Sequence, residues 1–143
     1  MTTLHTDTPI AVADRSELAA LFVRWLETHQ VPDGLFADDV FCDLSLPHWR
    51  LQARGVEGAV ALREGGHPCV GTVPRHRVDP TATGFVIEIE ERWHDGGQDW
   101  YCRELMRCDV RDGRVSELSV YCTGDWDEAR VAEHAASVDL IRP

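Results

Sequence analysis

From residue 84 onward the chain alternates apolar and polar side chains with the two-residue period of half-buried strands, broken at Asp95-Gly96-Gly97 and Arg111-Asp112-Gly113. Residues 84–94 set Phe85, Ile87, Ile89, Glu91 and Trp93 on one face, against Val86, Glu88, Glu90, Arg92 and His94 on the other. Residues 98–123 read as a β-hairpin turning at Arg111-Asp112-Gly113. Loop length decides which side chains share a face, because a slip of one residue turns the strand over. A two-residue loop sets Glu104 opposite Tyr121, and a three-residue loop sets it opposite Val120. Only the second gathers a nearly apolar face: Trp100, Cys102, Glu104, Met106 and Cys108, continued by Ser116, Leu118, Val120 and Cys122. That register is the expected one. With Trp93 opposite Trp100, Glu91 meets Cys102 and Ile89 meets Glu104, so three strands share one concave apolar face. Glu104 then stands as a carboxylate in the middle of an apolar stripe.

The N-terminal half has the helical period instead. Asp14 and Glu17 form a capping box that predicts a helix over 14–30, burying Leu18, Leu21, Phe22, Trp25 and Leu26 or His29. A turn over 35–39 leads to a strand over 40–46, ended by Pro47. Residues 47–55 read as irregular, with His48 and Trp49 lining an opening, before a short helix over 56–64 and a loop over 65–74. A short strand over 75–79 precedes the longer ones, and Asp125 is placed to cap a last helix over 126–137. Residues 1–13 are a flexible lead-in, 14–137 one domain, and 138–143 a tail. Helices followed by a run of strands predict an α+β domain, with helices on one face of a strongly bent antiparallel or mixed sheet. Helices cannot fill a strongly bent sheet completely, so a pocket between the layers is the expected ligand site.

Composition narrows the partners. With 14 basic against 25 acidic residues, the net charge of −11 argues against nucleic acid and against anionic membrane surfaces. No apolar run is long enough to span a bilayer, and the N-terminus lacks the basic start and apolar core of a signal peptide, so a cytoplasmic protein is expected. Five cysteines without a Cys-x-x-Cys spacing argue against a disulfide framework or a structural zinc site; a redox pair of Cys102 and Cys122 across the hairpin stays open. His48, His67, His76 and His94 lie near loops or strand ends, without common ligand spacing, so no metal is expected. His48, beside Trp49, could shuttle protons at the pocket mouth, and the other histidines read as exposed. No phosphate loop, dinucleotide fingerprint or nucleophile elbow is present, so no cofactor is expected.

Three stretches carry a family resemblance: Leu35-Phe36-Ala37-Asp38-Asp39-Val40, the glycine-rich start of the second helix, and Asp112-Gly113-Arg114-Val115-Ser116-Glu117-Leu118 before an aromatic-rich strand. Together they resemble the nuclear transport factor 2-like superfamily, and within it the SnoaL-like polyketide cyclases and ketosteroid isomerases. The resemblance covers about residues 18–125 and implies a cone of bent sheet over helices, commonly a homodimer packed through the outer sheet face. It implies that Glu104 stands where the isomerases keep a protonated acid of the oxyanion hole, with Met106, Leu118, Val120 and Cys122 on the cavity wall. Trp25 replaces the isomerase tyrosine and retains an indole N–H donor. Leu44 stands where the base carboxylate is kept, with Asp43 one residue early, so the cyclases fit better than a steroid isomerase.

The chemistry expected from these residues is acid/base. Burial of Glu104 among apolar groups should raise its pKa, which suits a general acid or a base poised near neutrality. Asp43, if its side chain points inward, or Glu91, diagonal to Glu104, would be the second proton carrier. Trp25, Trp49, Trp93 and Trp100 would wall a flat, apolar small molecule, aromatic or polycyclic. The expected function is thus a cofactor-independent cyclase, isomerase or dehydratase. The alternatives are a binding module of the same fold, or a vestigial pocket on an assembly surface.

Overall fold

The computed structural model describes residues 12–143, with side chains from Arg15 onward; most of the expected lead-in lies outside the described residues. In chain order the elements are α1 (Val12–Thr28), β1 (Phe36–Leu46), β2 (Trp49–Arg54), α2 (Val56–Gly66), β3 (Thr72–Pro80), β4 (Gly84–Asp95), β5 (Gln98–Arg111), β6 (Arg114–Cys122) and α3 (Glu128–Ser137). Among the described residues, six strands form one sheet in the order β2-β1-β6-β5-β4-β3. The β1–β6 pairing is parallel and the others antiparallel, so the sheet is mixed and the domain α+β. No described helix is long and apolar enough to cross a membrane.

α1 packs against β3 and β4, while α2 packs against β1 and β2. Leu18, Ala19, Phe22, Trp25 and Leu26 of α1 are buried with Phe85, Ile87 and Ile89 of β4 in one hydrophobic core. The helix begins at Val12 rather than at Asp14: Ala13, a strong helix former, lets it run past the capping box.

Two strands depart from expectation. β1 starts at Phe36 and not Val40, because a bulge between Phe36 and Phe41 in its pairing with β6 leaves Asp38 and Asp39 both exposed and interrupts the alternation. Residues 47–55 are not irregular. Pro47-His48 form a two-residue turn, and β2 returns antiparallel along β1 with Leu46 opposite Trp49. As an edge strand with largely exposed side chains, β2 carries no apolar period to reveal it. The strand expected over 75–79 extends to Thr72–Pro80.

The β4–β5 register is the expected one, with Trp93 opposite Trp100, Glu91 opposite Cys102 and Ile89 opposite Glu104. The β5–β6 hairpin is different. Asp112 and Gly113, at φ 52° and 76°, make a two-residue turn of the mirror-image type, which only glycine and short polar residues enter readily. A bulge near Ser116 then adds one residue, so Glu104 faces Cys122, neither Tyr121 nor Val120. The outcome lies two residues from the expected register. An even slip keeps each side chain on its face, so Cys102, Glu104, Met106, Cys108, Leu118 and Val120 are buried together.

After β6 the chain does not enter a helix capped by Asp125. Trp126 pairs with Tyr101 through both backbone groups, at 3.0 and 2.7 Å, and Asp127 caps α3 by accepting from the Arg130 amide at 2.8 Å. Gly124, just after β6, takes φ 99°, a conformation that turns the chain and is strained for other residues. Asp125 is thereby released from capping and borders the interior.

Candidate active site

A cavity of about 280 Å³ lies between α1, α2 and the inner face of β1, β5 and β6. Phe22, Trp25 and Leu26 wall it from α1, and Ala59 and Leu62 from α2. Cys42 and Leu44 face it from β1, opposite Leu118 and Val120 on the parallel neighbour, and Met106 completes the sheet side. Polar groups gather at one end: Arg63, His67, Glu104, Cys122 and Asp125.

Arg63 and His67 stand four residues apart at the end of α2, so both reach the same side. The Arg63 guanidinium grips both oxygens of Glu91, one through a 2.9 Å bond from Nη1, and donates to the Leu26 carbonyl at 3.2 Å. Glu91 is therefore not a wetted rim residue; its side chain is 5% exposed and fully engaged. Burial raises the Glu91 carboxyl, Arg63 draws it back, and the nearby charge of Glu104 leaves the net direction upward.

His67 Nε2 lies 3.3 Å from Glu104 Oε1, and the ring and the Cys122 sulfur both border the same end of the cavity. The His67 ring meets Trp93 in a T-shaped contact at 4.8 Å, and Trp93 stacks on Trp100 at 6.3 Å, which holds the imidazole in place. Burial would strip the His67 proton, but Cys122 and Glu104 overcome that and push its pKa up to about 10. The reverse holds for Glu104: burial raises it, but the His67 bond and charge, with Arg63 and Cys102, bring it below the usual carboxylate range. The expected upward shift of Glu104 is thus corrected. A lone buried acid would keep its proton, whereas this one has a histidine that takes it.

Cys102 is buried behind Glu104, its thiol 3.4 Å from Oε1. Cys122 is drawn down to about 6 by the Cys102 thiol, against burial, with help from His67 and the Gly124 amide. That amide donates to its sulfur at 3.4 Å. Asp125, exposed at the mouth, is shifted upward by partial burial, with the charge of Glu104 adding to it.

Other expected site residues stand elsewhere. Asp43 pairs with Ser119 on the outer sheet face and is gripped by Arg50 at 2.6 and 2.9 Å, so it is no base for this cavity. The phase of β1 turns Cys42 and Leu44 inward and Asp43 outward. His48 and Trp49, the latter 68% exposed, belong to the β1–β2 turn and edge, away from the cavity lining. Phe85, Ile87 and Ile89 are sealed in the core, while Trp93 and Trp100 support His67 and do not line the cavity. Trp25 does line it, and its buried indole N–H has no acceptor in the protein.

The sequence reading missed His67 and Asp125. The legible signal for His67 was its i, i+4 spacing from Arg63; comparing histidines only with one another concealed it. His67, Glu91, Cys102 and Glu104 each offer a donor atom within 4.8 Å of the others, as do Cys102, Cys122 and Asp125. In the first set Arg63 already occupies Glu91, and two cations balance two carboxylates, so that group closes as an ion-pair network.

No protein-family model and no curated protein matches the chain. Solved structures do. An NTF2-like protein from Anabaena variabilis superposes with a TM-score of 0.66 at 17% identity, covering 87% of this chain and 96% of its own. A candidate polyketide cyclase from Pseudomonas putida gives 0.60 at 16%, covering 83% and 96%. An LEH-like epoxide hydrolase from M. tuberculosis gives 0.60 at 16%, covering 77% and 83%. Likeness at such identity is one of backbone path, and it bears out the resemblance at that level: the chain has the cone-like nuclear transport factor 2-like fold.

Proposed function

We propose that this protein is a cofactor-independent enzyme that moves protons on a small apolar ligand, as in cyclisation, isomerisation or dehydration. The observation that carries this reading is the buried Glu104–His67 pair, 3.3 Å apart, at the polar end of an otherwise apolar cavity. His67 holds the proton at neutral pH and serves as general acid. Glu104 orients the imidazole and stabilises its charge, and Asp125, with its raised pKa, is the carboxylate base at the mouth. Trp25 supplies a donor for developing negative charge on oxygen. A cavity of about 280 Å³ falls just below the range of drug-sized sites, roughly 300–1,000 Å³, so the ligand has one or two rings and is not an extended polycycle. The names of the fold neighbours, a cyclase and an epoxide hydrolase, agree with acid/base work on such molecules.

The test uses 5-nitrobenzisoxazole, a two-ring apolar probe that opens on proton abstraction. Asp125→Asn should lower kcat/KM by about 10²–10⁴ while binding, read from tryptophan fluorescence, persists, and Glu104→Gln should lower it by less, through the misplaced imidazole. An unchanged rate in either variant removes that residue from the mechanism. Binding without turnover in the unaltered protein favours a ligand-binding module instead. We propose also that two copies pair through the outer sheet face, where Leu105 and Tyr121 are cross-strand neighbours and 44% and 57% exposed.

A further inference from the structure

The cavity end also holds a sulfur that the proton-transfer reading does not use. Cys122 lines the cavity, accepts the Gly124 amide at 3.4 Å, and stands opposite Glu104 on the neighbouring strand, which in turn meets His67 at 3.3 Å. A sulfur, an imidazole that can hold its proton and a carboxylate that orients the imidazole therefore share one end of the cavity. Cys102, the other sulfur nearby, is buried behind Glu104 and stays a thiol, its pKa pushed far up. On the cavity wall, Trp25 has a buried N–H without an acceptor. A ligand carbonyl is what that donor lacks.

We infer that Cys122, activated by His67 and oriented through Glu104, is a nucleophilic site that adds covalently to small α,β-unsaturated carbonyl compounds entering the cavity. At neutral pH the two rest as thiolate and imidazolium, the thiol proton already on His67. The sulfur then attacks the β-carbon, a C–S bond forms, and the C=C electron pair moves through the α-carbon to the carbonyl oxygen as an enolate beside the polar wall. The imidazolium returns its proton to the α-carbon, leaving a saturated thioether and neutral imidazole. Nothing leaves, and no oxidant or reductant is required. A soft sulfur suits this soft carbon, and the apolar walls suit a monocyclic ketone. The lowered pKa of Cys122, about 6, agrees with a sulfur that is mostly thiolate at neutral pH.

The probe is 2-cyclohexen-1-one, applied to the full chain, with adducts located by peptide mass spectrometry. Cys69, half-buried on the loop before β3, is the internal control, since burial and Asp95 raise its pKa. Cys122 should be modified roughly fivefold faster than Cys69 at pH 7, thiolate fraction outweighing the weaker nucleophilicity of a low-pKa sulfur. Its rate should level off above about pH 6, while that of Cys69 rises nearly tenfold per pH unit to beyond pH 8. His67→Gln should move that plateau to higher pH, with Cys102 still holding part of the shift, and in urea both cysteines should behave alike. A Cys122 rate that climbs in parallel with Cys69 in the native protein, or that stays below it, overturns the proposal without any variant being needed. Labelling is read by mass and not by turnover, so it stands or falls apart from the acid/base reading.

Discussion

At His67, ionisable groups from separate segments converge: Arg63 on α2, Glu91 on β4, Glu104 on β5, Cys122 on β6, Asp125 beyond it, and His29 at the end of α1. Two of these shifts oppose one another in a shared pH window. Unfolded histidine releases its proton near 6.5 and folded His67 near 10, so between them the folded state holds an extra proton and stability falls as pH rises. Folded Cys122 releases its proton near 6, against 9.0 for an unperturbed thiol. Over that range the unfolded state holds the extra proton, and this contribution grows as pH rises. The two should nearly cancel between about pH 6.5 and 9, leaving stability flat, with a decline only above that. In Cys122→Ser the thiolate contribution is lost, and His67, raised now by Glu104 without Cys122, keeps only part of its upward shift. Stability of the variant should then fall from about pH 6.5 upward and level off below pH 10, by on the order of 1–3 kcal/mol in all. Urea midpoints across pH decide it, and equal slopes for both proteins would refute the thiolate–imidazolium pair.

α2 presents Arg63 to a carboxylate on β4 and a carbonyl at the end of α1, so one side chain joins three elements. Both partners of the ion pair are under a tenth exposed. Breaking such a pair from one side leaves a buried charge without compensation. Arg63→Met should therefore destabilise the fold by about 3–5 kcal/mol, and adding Glu91→Leu should restore most of it. Urea unfolding of the two variants makes the comparison, and a single variant no worse than the double would contradict it. The same scale shows where sequence patterning is enough and where it is not. Alternation in β4 and β5 was strong because one face is buried, so their pairing could be read directly. The bulges in β1 and β6 could not, because one unpaired residue alters phase without altering composition.

Over the whole molecule, the inner cluster pairs Arg63 with Glu91 and His67 with Glu104, while the outer sheet face carries exposed ion pairs such as Arg103–Glu88 at 3.0 Å around Leu105 and Tyr121. That apolar centre with a charged rim has the anatomy of an association surface. At micromolar concentration the protein should sediment near twice its 16.1 kDa chain mass, and Leu105→Glu with Tyr121→Glu should reduce it to a single chain while the thermal transition of each chain persists. A single-chain mass for the unaltered protein would refute pairing through this face.

Local periodicity determined by itself that this chain makes two helices and then a run of strands, and that Glu104 is buried among apolar neighbours. Both follow from which side chains water excludes, and that depends only on spacing along the chain. The partners of Glu104 were a different matter. His67 lies 37 positions away at the end of a helix whose last turn faces the sheet, and Asp125 reaches the cavity because Trp126 pairs back to Tyr101. Proton affinity depends on which charges meet in space, and a one-residue bulge or a released cap changes that meeting while leaving the hydrophobic pattern as it was. So the place of the acid was legible in the residues, and the group that holds its proton was decided only by the packing of α2 against the sheet.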